Sequence, residues 1–192
     1  MDKPIFFLEL HHFYEQSQQE RQALIGRCNA MLREAKLAIF ALHREKPEEA
    51  DSHLDTAQTF LKKVQESLRS HPELLFEGSY RAALEEYTEA QIFKHVLKKH
   101  KWIKLEKHLM DPPIYFGALS DATGELVRYA VRGASQGNRD HAELAYKLVE
   151  QVVEFFLQMD LTGSLRQKSD QAKKNLQTLE HIRYEMNLRS SL

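Results

Sequence analysis

Helical periodicity runs from about Ile5 to Arg44, with polar residues between the apolar positions. Leu24, Cys28, Met31, Ala35, Ala38 and Leu42 make one stripe at the period of an α-helix. A helix of this length points to a long bundle or a coiled coil. Lys46-Pro47 breaks the pattern, and Pro47 with Glu48 and Glu49 suits the first turn of a new helix. The second helix carries Ala50, Leu54, Ala57, Leu61, Val64 and Leu68 as its stripe, and His71-Pro72 ends it. After a connector around Leu74–Phe76, Ser79 reads as the N-cap of a helix that continues through Lys98–Lys101. Asp111-Pro112-Pro113 is the sharpest break in the chain. Beyond it the spacing predicts a helix to about Gly133 and, after a turn at Gln136–Asn138, another from about Asp140 to Met159. Ser164 then caps a last helix to about Leu188. No strand pattern, linker, internal repeat or low-complexity segment interrupts the series. The expectation is one all-α domain over residues 1–192, an elongated bundle of about seven helices.

Composition narrows this further. A chain of 192 residues is long enough for one sizeable core and short for two domains. With 27 basic and 28 acidic residues the net charge is −1, so any grip on nucleic acid must be a local patch. Cys28 is the single cysteine, which excludes an intramolecular disulfide and a cysteine-based zinc site. Its place among helical apolar residues reads as an inert core thiol. The N-terminal IFFLEL is cut short by Glu9 and His11, and no apolar run approaches the roughly 20 residues that span a bilayer. The expectation is a cytoplasmic protein without membrane contact.

Two helices depart from their own pattern. In LEEYTEAQIFKHVL, Leu84 to Leu97, the apolar stripe runs from Ala82 and Ala83 to Ala90, Phe93 and Leu97. Glu86 and Glu89 sit within it, where core residues are expected. An unpaired buried carboxylate costs several kcal/mol unless it meets a cation or takes a proton, about 3–5 when a partner is removed. In YFGALSDATGELVRYAV, Tyr115 to Val131, Leu119, Ala122, Leu126 and Ala130 form the apolar face. Asp121 and Glu125, four apart, stack on one side with Ile114, Ala118 and Arg128. Gly117 and Gly124 flank them and suggest close approach of another backbone or a ligand. The two acids repel, so Arg128 or a bound cation should offset them. Spacing alone leaves two readings open: interhelical salt bridges, or four carboxylates holding Mg²⁺ or Mn²⁺, which favour oxygen ligands.

Other chemistries find little support. A di-iron carboxylate bundle needs two Glu-x-x-His motifs, and the chain has one, Glu9 to His12. No Ser-His-Asp signature or glycine-rich phosphate loop is present. The run Lys98-Lys99-His100-Lys101-Trp102 reads as a helix C-terminus with well-placed cations and Trp102 as an anchor, rather than as a nucleic-acid patch.

The segment IYFGALSDATGELVRYAV resembles the signature of the translin family, an aromatic-apolar stretch followed by SDxxGELxR. Cys28 to Val64 resembles that family's first helix pair, and the likeness extends over about residues 20 to 190. The resemblance implies an all-α fold of about seven helices and an octamer-like shell enclosing nucleic acid. EYTEA and DATGEL match the motifs of the family's catalytic branch, the translin-associated factor X type. That match implies catalytic and metal-holding roles for Glu86, Glu89, Asp121 and Glu125 in a Mg²⁺-dependent endoribonuclease, with Mn²⁺ as a substitute. The alternative is a non-catalytic RNA- and single-stranded-DNA-binding oligomer of the translin type, and a third reading is a helical scaffold with internal salt bridges. The segment between the acidic helices is shorter than in the factor X type, and a basic import cluster is missing. Both departures fit a compact prokaryotic or archaeal homologue acting as a homo-oligomer on single-stranded or short duplex RNA. Arg21, Arg27, Arg33, Lys36 and Arg44 on the first helix, with Arg81 and Arg128, are the candidate RNA contacts. For Arg128 the choice is between a phosphate and neutralisation of Asp121.

Overall fold

The structure, a computed structural model, describes residues 4–190 and every side chain among them except those of residues 108, 189 and 190. Among the described residues there are six α-helices: α1 Ile5–His43, α2 Pro47–Ser70, α3 Gly78–Lys99, α4 Pro112–Ser135, α5 Arg139–Leu157 and α6 Gly163–Ser190. Two short 3-10 turns, Pro72–Phe76 and Lys107–Leu109, lie in the connections. No strand is present among the described residues, so the expected all-α class is observed, with the Leu74–Phe76 connector as a 3-10 turn. None of the described helices is long and apolar enough to cross a membrane.

The breaks fall where proline and backbone chemistry require them. α1 ends through Glu45 at φ 60°, and Pro47 opens α2. α3 ends at Lys99, earlier than expected, because His100 takes the left-handed conformation at φ 54° and donates its N–H to Val96. Asp111 caps α4 by accepting from the N–H of Ile114, and Asn138 caps α5 through Asp140. Two expected caps are corrected. Ser79 lies inside α3, whose N-cap is Glu77, and its hydroxyl is buried against the Cys28 thiol. Ser164 lies inside α6, which already starts at Gly163.

Two groups of helices share one continuous core. α1 packs on α2 and α3, α4 packs on α5 and α6, and the α3–α4 contact joins the groups. The stripe Leu24, Cys28, Met31, Ala35, Ala38 and Leu42 is buried as expected. Burial pushes the Cys28 thiol up to about 11, which keeps it unreactive. On α3 the buried stripe is Ala83, Tyr87, Ala90 and Phe93; Ala82 faces solvent, one residue out of phase. The indole N–H of Trp102 donates to the Leu148 carbonyl at 3.2 Å, the expected anchor. α1 is about 58 Å long, and none of its residues from Ile5 to Ala23 is buried, so this half runs past the bundle.

Candidate carboxylate centre

The seam between α3 and α4 gathers the acids. Glu85, Glu86 and Glu89 come from α3, and Asp121 and Glu125 from α4. α1 closes one flank with Lys36 and His43, two turns apart on one side of the helix. α6 closes the other, because the Ser120 hydroxyl donates to the Lys168 carbonyl at 2.7 Å and Asn175 donates to Thr123 at 2.8 Å. These two bonds fix α6 so that the Lys168 ammonium reaches Asp121 at 2.5 Å and Glu85 at 2.8 Å. Gly117 permits the approach, since a Cβ there would stand 2.5 Å from the Glu85 carboxyl carbon. Gly124 meets only the Asn175 side chain, at an ordinary 3.6 Å. The close neighbours of both glycines are thus side chains of α3 and α6.

Each acid has a different environment. Glu89 is 6% exposed and makes no hydrogen bond or ion pair among the described residues. Burial, with Glu86, Asp121 and Glu125 nearby, pushes its carboxyl up to about 9. Burial also raises Glu86, whose one ion-pair partner among the described residues is Lys36 at 3.9 Å. Burial acts on Glu125 too, but the His43 hydrogen bond and charge, with Arg128 at 3.1 Å, outweigh it and hold Glu125 below its usual value. Lys168 is lowered by burial, yet its bonds to Asp121 and Glu85 raise it on balance, so it stays charged.

Arg128 therefore neutralises Glu125, not Asp121: it lies one turn from Glu125 and two from Asp121. His43, Glu85 and Lys168 belong to the cluster but escaped the sequence reading. The basic candidates disperse. Arg21 pairs with Glu77 at 2.5 Å, Arg27 donates to Ser67, Arg33 lies 3.3 Å from Glu34, and Arg44 sits over the Phe40 ring. Arg33, Lys36, Arg44 and Arg81 are exposed. As the side chains stand, no three His, Cys, Asp or Glu groups among the described residues are posed to close around a metal ion. Lys168 and His43 hold two of the four acids in other directions.

This arrangement of helices and acids can be compared with known proteins. Residues 19–190 match the family model described as the translin family. The chain belongs to the translin family. It is 24% identical over 200 residues to translin-associated protein X of Mus musculus, an alignment covering 82% of this chain and 69% of the mouse protein. Among solved structures, apo-NeC3PO superposes with a TM-score of 0.86 at 22% identity, over 97% of this chain and 100% of that one. AfC3PO, solved alone and in complex with duplex RNA, superposes with a TM-score of 0.82 at 25% identity, over 95% of this chain and 97% of its own. The translin-family fold thus accounts for nearly the whole chain.

Proposed function

We propose that this translin-family chain is the subunit of an RNA-binding homo-oligomer that cleaves RNA with Mg²⁺ or Mn²⁺ at the α3–α4 carboxylates. The AfC3PO–duplex RNA complex supports RNA as the ligand. The observation that carries the cleavage reading is Glu89, a carboxylate with 6% exposure and no hydrogen-bond or ion-pair partner among the described residues, beside three further acids. Five carboxylates meet three permanently charged bases, Lys36, Arg128 and Lys168. That leaves two negative charges when all five ionise, which one divalent cation balances.

The all-oxygen donor set fits a hard cation. Glu86, Glu89, Asp121 and Glu125 would hold it, and a divalent ion supplies charge stabilisation at a phosphate and acidifies water. The protein's own residues do the rest. His43 and Arg128 keep Glu125 ionised, Lys168 orients Asp121 through its 2.5 Å ion pair, and the proton on Glu89 would leave on binding of a cation. Lys36 stands beside Glu86 at the solvent edge, and Arg33 and Arg44, exposed on the same helix, would add separate contacts to the phosphate backbone.

One observation favours a non-catalytic RNA-binding oligomer instead. Asp121 and Glu125 already have Lys168, His43 and Arg128 as partners, so these two acids are balanced without metal. Cleavage of a labelled short RNA by wild type and Glu89→Ala, with Mg²⁺ and with EDTA, separates the readings. Metal-dependent cutting lost in the variant supports the nuclease; RNA bound but uncut under all conditions supports the binding oligomer.

A further inference from the structure

The projecting half of α1 gathers seven of the large apolar side chains that are exposed among the described residues. Ile5, Phe6, Leu8, Leu10, Phe13 and Tyr14 are between 57% and 76% exposed. Phe6, Leu10 and Phe13 fall, at helical spacing, on the line of the stripe that Leu24, Cys28 and Met31 bury further along, with the polar stretch Glu15 to Gln22 between them. The face that α2 and α3 cover from Leu24 onward is therefore bare before it. The helix tip, Ile5-Phe6-Phe7-Leu8, is apolar on every side, the mark of a helix end that sits in a socket.

The molecule carries an exposed apolar turn at the base of the same projection. Glu77 is tied to Arg21 at 2.5 Å, which sets the turn Pro72–Phe76 beside the point where α1 leaves the bundle. In that turn Leu74 is buried, whereas Leu75 is 45% and Phe76 is 86% exposed. Ile5 and Arg21 are 16 residues apart along the helix, about 24 Å. Two copies laid antiparallel along their projections would each bring the tip to the other's Leu75 and Phe76.

We propose that residues 5–21 of α1 pair antiparallel with the same segment of a second copy of this chain, each tip seated on the partner's Pro72–Phe76 turn. The area suffices. Six large side chains exposed by more than half offer about 700 Å² per copy, hence about 1,400 Å² in the pair, inside the range of stable interfaces. The contact is isologous, so it joins two copies and stops; larger assemblies need other faces. The inference does not depend on the nuclease reading, because its residues lie outside the carboxylate cluster.

The test is the solution mass of the full chain by sedimentation, for wild type, Phe6→Glu/Phe13→Glu and Phe76→Glu. These side chains are exposed in the single chain, so its melting should change little in the variants. Expected is a wild-type oligomer whose principal mass falls by at least half in the double variant and in Phe76→Glu. A wild type that is monomeric throughout, or variants of unchanged mass, overturns the proposal. Cysteine cross-linking gives an independent arm, since Cys28 is buried and does not compete. In the antiparallel register Phe13 lies near the two-fold axis. Phe13→Cys should form a covalent dimer on mild oxidation and Phe6→Cys should not. Dimers from both would mean a parallel pair, and dimers from neither would mean no pair; either result overturns the arrangement.

Discussion

Glu89 concentrates the conflict between stability and chemistry. Its folded value of about 9 lies above the ordinary 4.5 of the unfolded chain. Below pH 4.5 both states carry the proton and the fold loses nothing. As pH rises from 4.5 toward 9, the unfolded state gives up its proton more readily, so stability falls across this window. Metal-free Glu89→Gln should therefore melt higher than wild type at pH 8, by about 3–6 °C, with little difference at pH 4.5. Scanning calorimetry in EDTA at both pH values checks this, and equal melting at pH 8 would mean that Glu89 is ionised and paired. Lys168 gives the complementary case. Lys168→Ala leaves Asp121 and Glu85 without their ammonium, a loss of about 1 kcal/mol after solvent screening at these partly exposed groups. Thermal melts in EDTA should register it, and Mg²⁺ should restore most of it by neutralising the same acids. Failure of Mg²⁺ to restore the variant would argue against a cation site here.

At the scale of elements, two glycines of α4 make opposite predictions. A Cβ at Gly133 would stand 2.5 Å from the Cβ of His141 on α5, whose ring stacks on Tyr129 at 4.0 Å. Neither backbone can yield easily, so Gly133→Ala should destabilise by about 1–3 kcal/mol despite the better helix former. At Gly117 the obstacle is the end of the Glu85 side chain, which can swing away. Gly117→Ala should leave stability within about 0.5 kcal/mol while loosening the Glu85–Lys168 pair. Urea titrations of the two variants, read side by side, decide whether α4 meets its neighbours as described. Gly117 stands out in the sequence as a helix-interior glycine, whereas Gly133 reads there as the end of the helix, and nothing local distinguishes a flexible obstacle from a rigid one.

At the scale of the whole molecule, α1 is a single helix in two environments. Its second half is held by α2 and α3, and none of its residues from Ile5 to Ala23 is buried by the described residues. Amide exchange should follow this division. In Phe6→Glu/Phe13→Glu, amides of residues 8–20 should exchange orders of magnitude faster than those of residues 31–42; in the wild-type assembly the gap should narrow. A gap equal in both proteins would place the cover elsewhere. The helical stripes, the proline breaks at Pro47, Pro72 and Pro112, and the inward turn of Glu89 could be read directly from the chain, because helix periodicity and proline geometry are local. The EYTEA and DATGEL motifs were legible for the same reason: each lies within one helix. The partners of those acids were not. His43 stands 82 residues from Glu125 and Lys168 stands 47 from Asp121, and at such separations no periodicity relates two side chains. Their meeting depends on how α1 and α6 pack against the α3–α4 seam. The bare half of α1 was only partly legible: the polar stretch from Glu15 to Gln22 separates Phe6, Leu10 and Phe13 from the stripe that begins at Leu24, but the length of α2 and the place of its turn into α3 set where cover stops.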